Sequence, residues 1–256
     1  MIKAFSIFKS FNGRNAIEDV SVSFEPGKTN LIIGRSGSGK TVLLKCIVGL
    51  HEIDSGEIWY DNIRFDRLDF AARKEIRREI GMLFQGSALF DSLTVEQNVM
   101  FPLNMFTNKT LEEKIDRVNF CLNRVNIINA NNLFPAELSG GMKKRVAIAR
   151  AISLNPKYLF CDEPNSGLDP LTAILIDELI KEITEEFSMT TIVNTHDMNS
   201  VMEIGEKIIF ISDGVKCWEG SKDEILYTDC EKLNDFVFAN ALARQLKSSA
   251  RKSVSR

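Results

Sequence analysis

The sequence predicts an α/β fold, a core of short strands alternating with helices and interrupted by a mainly helical lobe. Three observations predict it. Apolar runs of four or five residues recur between turn residues, at Thr29–Ile33, Glu57–Tyr60, Ile80–Phe84, Lys157–Cys161, Thr190–Asn194 and Lys207–Ile211; such runs have strand length and composition. Helical patterns lie between them, around Lys40–Val48 and Phe70–Glu79. From about residue 87 to 155 the pattern turns mainly helical.

Each element follows from local chemistry. Val20, Val22 and Phe24 alternate with Ser21, Ser23 and Glu25 before the Pro26-Gly27 turn, the period of a half-buried strand. Thr94 with Gln97 forms a candidate capping box. Leu111, Ile115, Val118, Leu122 and Val125 recur at helical spacing in a polar background, an amphipathic stripe. After about residue 230 the composition changes: Leu233, Phe236, Val237, Phe238, Leu242 and Leu246 lead into a basic end carrying Arg244, Lys247, Arg251, Lys252 and Arg256. The expected division is therefore 1–230 for the main domain and 231–256 for a helical extension and basic tail, which packs on its own domain or reaches a partner.

Composition bounds the function. The formal charge of −3 on 256 residues supplies no general attraction to nucleic acid or anionic lipid. The five cysteines are scattered, without Cys-x-x-Cys or Cys/His spacing, which predicts reduced thiols and no metal cluster. No signal-peptide pattern opens the chain, and no apolar stretch approaches the ~20 residues that cross a bilayer. A membrane role would need another polypeptide.

The chemistry concentrates in three motifs. Gly34-Arg35-Ser36-Gly37-Ser38-Gly39-Lys40-Thr41 follows a strand and opens a helix, the context of a phosphate-binding loop. Its glycines let N–H groups turn toward phosphate oxygens, the helix at Lys40 adds its positive dipole end, and Val42 completes the first turn. Lys40 is expected on the β- and γ-phosphates and the Thr41 hydroxyl on Mg²⁺. Tyr158–Cys161 delivers Asp162 and Glu163, a carboxylate for Mg²⁺ through water and a base for the attacking water. Ser139-Gly140-Gly141 precedes a helix, whose N-terminal donors suit a phosphate.

Together these motifs resemble the ATPases of ABC transporters over residues 1 to about 225. The resemblance implies a P-loop NTPase (RecA-like) core with an antiparallel β subdomain and an inserted α-helical subdomain. It also implies ATP as the substrate and a head-to-tail pair of chains, each ATP lying between one chain's phosphate loop and the other's Ser139 signature. Gln85 matches the family's Q-loop glutamine, near Mg²⁺ and the attacking water. Ser166-Gly167-Leu168-Asp169 matches the D-loop, His196 the switch histidine, and Phe11 the aromatic that stacks on adenine, although a strand phenylalanine also suits a core. His51 matches no motif and is read as structural.

Within the family, Gly81–Leu103, Met142 and Thr195–Gly205 resemble Mla-type phospholipid transport ATPases. That implies a peripheral subunit on the cytoplasmic face of the inner membrane, an MlaE-like permease, an MCE-domain protein beyond it, and phospholipid moving between inner and outer membranes. An accessory regulator is a further candidate partner. Phe90, Leu93 and Phe101 are candidates to line the permease's docking cleft. The alternatives are an importer or exporter ATPase for an amino acid or lipoprotein, or a soluble ABC ATPase outside transport.

Overall fold

The computed structural model describes residues 1–238, so Leu242, Leu246 and the basic end from Arg244 to Arg256 lie outside the described residues. In chain order come β1 (Ile2–Phe11), β2 (Arg14–Phe24), β3 (Thr29–Ile33), α1 (Lys40–Ile47), β4 (Ser55–Tyr60), β5 (Ile63–Arg64), α2 (Phe70–Arg78), β6 (Ile80–Leu83) and α3 (Val95–Phe106). Then follow α4 (Leu111–Arg124), α5 (Gly140–Ile152), β7 (Tyr158–Asp162), α6 (Pro170–Glu186), β8 (Thr190–Thr195), α7 (Met198–Ile204), β9 (Lys207–Ser212), β10 (Val215–Gly220), α8 (Lys222–Ile225) and α9 (Glu231–Val237). The chain divides into two units, residues 1–67 with the stretch from Asn194 onward, and residues 68–193.

The first unit holds an antiparallel sheet of order β2-β1-β4-β5. Asn12 and Gly13, both at positive φ, make the two-residue turn between β1 and β2. Ile2 and Ala4 are buried, and so is Ile7, out of step by one residue. A register shift between Ala4 and Ile7, with Ser6 at φ +44, accounts for the change of phase: an extra residue in one strand moves the side chains beyond it to the other face. In the same unit β3 pairs with β9 in parallel, and β9 with β10 in antiparallel. Every residue of β3 is buried, the polar Thr29 and Asn30 included, as in a strand covered on both faces.

The second unit holds the parallel pair β6 and β7 and the helices from α2 to α6. The Thr94–Gln97 capping box forms at α3, and a second one, Thr110 with Glu113, opens α4. Asn98, fully buried, donates to the carbonyls of Phe90 and Leu93 and accepts from the Phe90 N–H, so it shapes the loop ahead of α3. On α4, Val118 and Leu122 are buried, but Leu111 is 66% exposed. As the first residue of that helix, beside the Thr110 cap, Leu111 projects past the turn that packs and does not join the stripe.

Helix α9 packs on its own unit: Leu233 is buried and the Phe236 ring lies 5.5 Å from that of Phe210. Among the described residues the cysteines are free thiols, no His/Cys/Asp/Glu cluster suits a metal, and no helix is long and apolar enough to cross a membrane.

Candidate functional site

In the first unit the phosphate loop is enclosed by its neighbours. A Cβ on Gly34 would stand 2.2 Å from the Ile211 carbonyl oxygen, and one on Gly39 would stand 2.6 Å from that of Ala16. Both residues also have positive φ, so only glycine fits either place. The Gly214 N–H donates to the Ser38 carbonyl at 3.0 Å, tying the loop to the β9–β10 turn. Lys40 is buried, and its ammonium donates to the carbonyls of Gly34 (2.9 Å) and Arg35 (3.1 Å). Arg35, Ser36 and Gly37 are exposed, while Thr41 and Val42 are half-buried at the start of α1. Among the described residues the buried Ser38 hydroxyl oxygen has no hydrogen-bond partner. A buried orphan is costly, and a phosphate oxygen is the kind of partner that satisfies it. A cleft of about 400 Å³ opens beside the loop, between Lys40, Thr41, Asn15 and Asp213.

Phe11 is 41% exposed rather than core. Its ring meets His51 edge-on at 5.3 Å, and the Lys9 ammonium lies 5.2 Å from its centroid. His196 is exposed just after β8, and Asp197 caps α7 by accepting from the Asn199 N–H at 2.8 Å.

In the second unit β7 ends in the buried Asp162. Glu163 follows at φ +49, a left-handed backbone costing about 1–3 kcal/mol and typical of functional positions. The Ser166 N–H donates to the Glu163 carbonyl at 3.2 Å. Asp169 caps α6 through the Thr172 N–H and hydroxyl, bonds that hold its carboxyl below the usual range. Ser166, Gly167 and Asp169 are exposed, and Leu168 is half-buried. Ser139 caps α5, accepting from the Met142 N–H at 3.2 Å. Ser139 and Gly140 are exposed and Gly141 is half-buried. The first N–H groups of α5 have no intrahelical acceptor, and of these Ser139 takes up that of Met142.

Sequence reasoning missed Lys144 and a role for Arg150, both on α5. Lys144 is 4% exposed, and its ammonium donates to the Gln85 carbonyl and, at 3.4 Å, to that of Glu163. Burial pulls its pKa below the ordinary lysine value. Arg150 donates to the carbonyls of Ser87 and Ala88, each at 2.8 Å, and these two residues have positive φ just after the exposed Gln85. The one local hint was that Lys144 and Arg150 flank the apolar run Val146–Ala149, and a cation that is buried must face something that accepts hydrogen bonds; the acceptors themselves are far off in the sequence. Phe90 and Phe101 are partly exposed, 4.7 Å apart, on a groove of about 400 Å³. Leu93 does not line that groove; it is half-buried, and its carbonyl accepts from Asn98.

With that geometry, comparison with known proteins becomes informative. The family model "ABC transporter" matches residues 17–166. The methionine import ATP-binding protein MetN of Campylobacter jejuni is 36% identical over 253 residues, covering 93% of this chain and 75% of the relative. That of Carboxydothermus hydrogenoformans is 40% identical over 233 residues, covering 90% and 68%. Among solved structures, the ATP-binding cassette MJ0796, in a dimeric post-hydrolysis state bound to ADP and Pi, superposes with a TM-score of 0.80 at 35% identity, covering 87% of this chain and 99% of that one.

These relatives correct the expectation of an Mla-type phospholipid transporter with an MlaE-like permease and an MCE protein, because they are named for methionine import. The physical reason lies in where the guiding residues sit. Gly81–Leu103 supplies β6, the Gln85 loop and α3, and Met142 lies in the first turn of α5. That likeness rested on a few short segments, whereas the similarity to the methionine import proteins runs over 93% of the chain. The α/β P-loop fold and the match across the phosphate loop, the signature and the Asp162 strand agree with one another, and the chain belongs to the ABC transporter family as one of its ATPase cassettes.

Proposed function

We propose that this ABC ATPase powers an amino acid importer, with methionine the substrate to test first. The observation that carries the reading is 36% identity to a methionine import ATP-binding protein across 93% of this chain. In this reading the chain works on the cytoplasmic face of the membrane beneath an integral permease and pairs head to tail with a second copy. Residues 1–230 form the ATPase domain, with about 87–155 its helical subdomain, and 231–256 form an extension.

The residues divide the work between the two copies. Gly34 to Val42 hold the phosphates, Lys40 exchanging its loop carbonyls for β- and γ-oxygens, and Phe11 supports adenine. Ser139, Gly140 and Gly141 of the second copy close on the γ-phosphate with the dipole end of α5. Glu163 takes the proton of the attacking water, and Gln85 and His196 orient the water and the γ-phosphate. Ser166 to Asp169 lie along the shared interface. Thr41, Asp162 (through water) and Gln85 offer only oxygen donors, the set that suits Mg²⁺. When bound, that ion offsets the negative charge of the phosphate oxygens.

The test is transport by the chain purified with its own permease and reconstituted into vesicles. ATP-dependent uptake of labelled methionine, lost in Glu163→Gln, is the expected result. A complex that hydrolyses ATP yet moves no amino acid would overturn the reading.

A further inference from the structure

The signature helix does more than present Ser139. Lys144 sits about one turn into α5 and gives its hydrogen bonds to the backbone of two other segments, at Gln85 and Glu163. Farther along the same helix Arg150 grips the next two links of the Gln85 loop, Ser87 and Ala88. Burying an ammonium is expensive unless its protons are well placed. A methionine would fill the same volume without that cost, so packing alone does not account for a lysine here.

In the head-to-tail reading, on which this inference rests, Ser139 acts on the ATP held by the partner's phosphate loop. Gln85 and Glu163 act on the ATP held by their own chain. We infer that Lys144 is a positioning residue that couples the two ATP sites of the dimer. When α5 moves to meet the partner's γ-phosphate, Lys144 carries the carbonyls of Gln85 and Glu163 with it, so closure of one site sets the catalytic loops of the other.

ATPase titrations and sizing of the full-length chain test this. The wild type is expected to show a Hill coefficient above 1. In Lys144→Met, kcat falls about tenfold or more and the Hill coefficient drops to 1, while KM changes less than about threefold, coupling of this kind being worth about 5–150-fold. Lys144→Arg, which still donates, recovers both kcat and the Hill coefficient. As a readout independent of turnover, Glu163→Gln is expected to dimerise over a narrow ATP range, and Glu163→Gln with Lys144→Met over a broader one. Should Lys144→Met fail to fold, Lys144→Gln, whose shorter arm falls short of both carbonyls, replaces it in the same measurements with the same losses expected. A Glu163→Gln chain that stays monomeric in ATP removes the dimer and the coupling together. If it dimerises, while the wild type is non-cooperative or Lys144→Met keeps the wild-type Hill slope, the coupling alone falls.

Discussion

The phosphate loop and the signature loop both present a helix N-terminus, yet they are built differently. The phosphate loop is walled by its own unit: Gly34 lies under the Ile211 carbonyl, Gly39 under that of Ala16, and Lys40 is held by Gly34 and Arg35. The signature loop is open at its first two residues, with Ser139 and Gly140 exposed and only the Leu168 side chain, at 3.5 Å, near a Cβ on Gly140, while one on Gly141 would meet the Thr172 methyl at 2.8 Å. A loop complete within one chain tolerates little change. At Ser139 and Gly140, a substitution costs the fold little, and in the head-to-tail reading its main defect lies in the assembled site.

The largest effect is expected on the walled side. Gly34→Ala places a methyl group 2.2 Å from a backbone oxygen, and backbone cannot yield as a side-chain tip can. ATP binding, read with a fluorescent analogue, should be lost altogether; affinity within a few-fold of wild type would mean the loop is looser than its contacts indicate. Next comes Glu163→Gln. With the proton acceptor gone, turnover should fall by about 10²–10⁴-fold while ATP still binds. Near-normal turnover would remove Glu163 from its role as base.

The open side gives a sharper test, because its defect should lie in the other chain's site. Lys40→Ala and Ser139→Ala are each expected to be nearly inactive, the latter also losing about 1 kcal/mol of helix capping. Mixed together they should regain activity. Half the dimers are then hybrids, each with one site built from two sound halves, so roughly a quarter of wild-type turnover is the ceiling, and the coupling through Lys144 holds the recovery below it. No recovery on mixing would place both halves of the site in one chain.

The same contrast explains what was legible in the sequence. The glycine loop could be read because its constraint is local: the residues that need positive φ and close approach are the motif itself. Asp162 and Glu163 could be read because a buried strand must end where its carboxylates do. Strand β1 and the turn at Asp213-Gly214 escaped, since Ser6 breaks the alternation of β1 and the turn's contact with Ser38 is long-range. Lys144 escaped for the same reason, as its acceptors at Gln85 and Glu163 are 59 and 19 residues away. Cargo was misread because the likeness was drawn from three short segments, Gly81–Leu103, Met142 and Thr195–Gly205, and the similarity over 93% of the chain points instead to methionine import ATP-binding proteins.

The smallest effect is expected near Phe11, the ring proposed to support adenine. Asp54 accepts from the Lys9 ammonium (2.8 Å), the Ser10 N–H (2.6 Å) and the Ser10 hydroxyl (2.7 Å). Those bonds, that of Lys9 first, pull its carboxyl down to about 2. Lys9 also lies over Phe11, so Asp54 sets the end of β1 where that ring stands. Asp54→Asn should raise the KM for ATP only about two- to threefold, as suits an exposed ion pair. The sign of its pH dependence comes from the lowered pKa. An unfolded aspartate titrates near 3.9, so the carboxylate's contribution to stability is complete above about pH 4 and disappears as pH falls toward 2. The Tm difference between wild type and Asp54→Asn should therefore stay constant from pH 7 to about 5 and shrink below about 4. A difference that persists unchanged at pH 2 would mean that the amide disturbs packing rather than charge, and the Phe11 ring would then owe its order to shape, as the phosphate loop does.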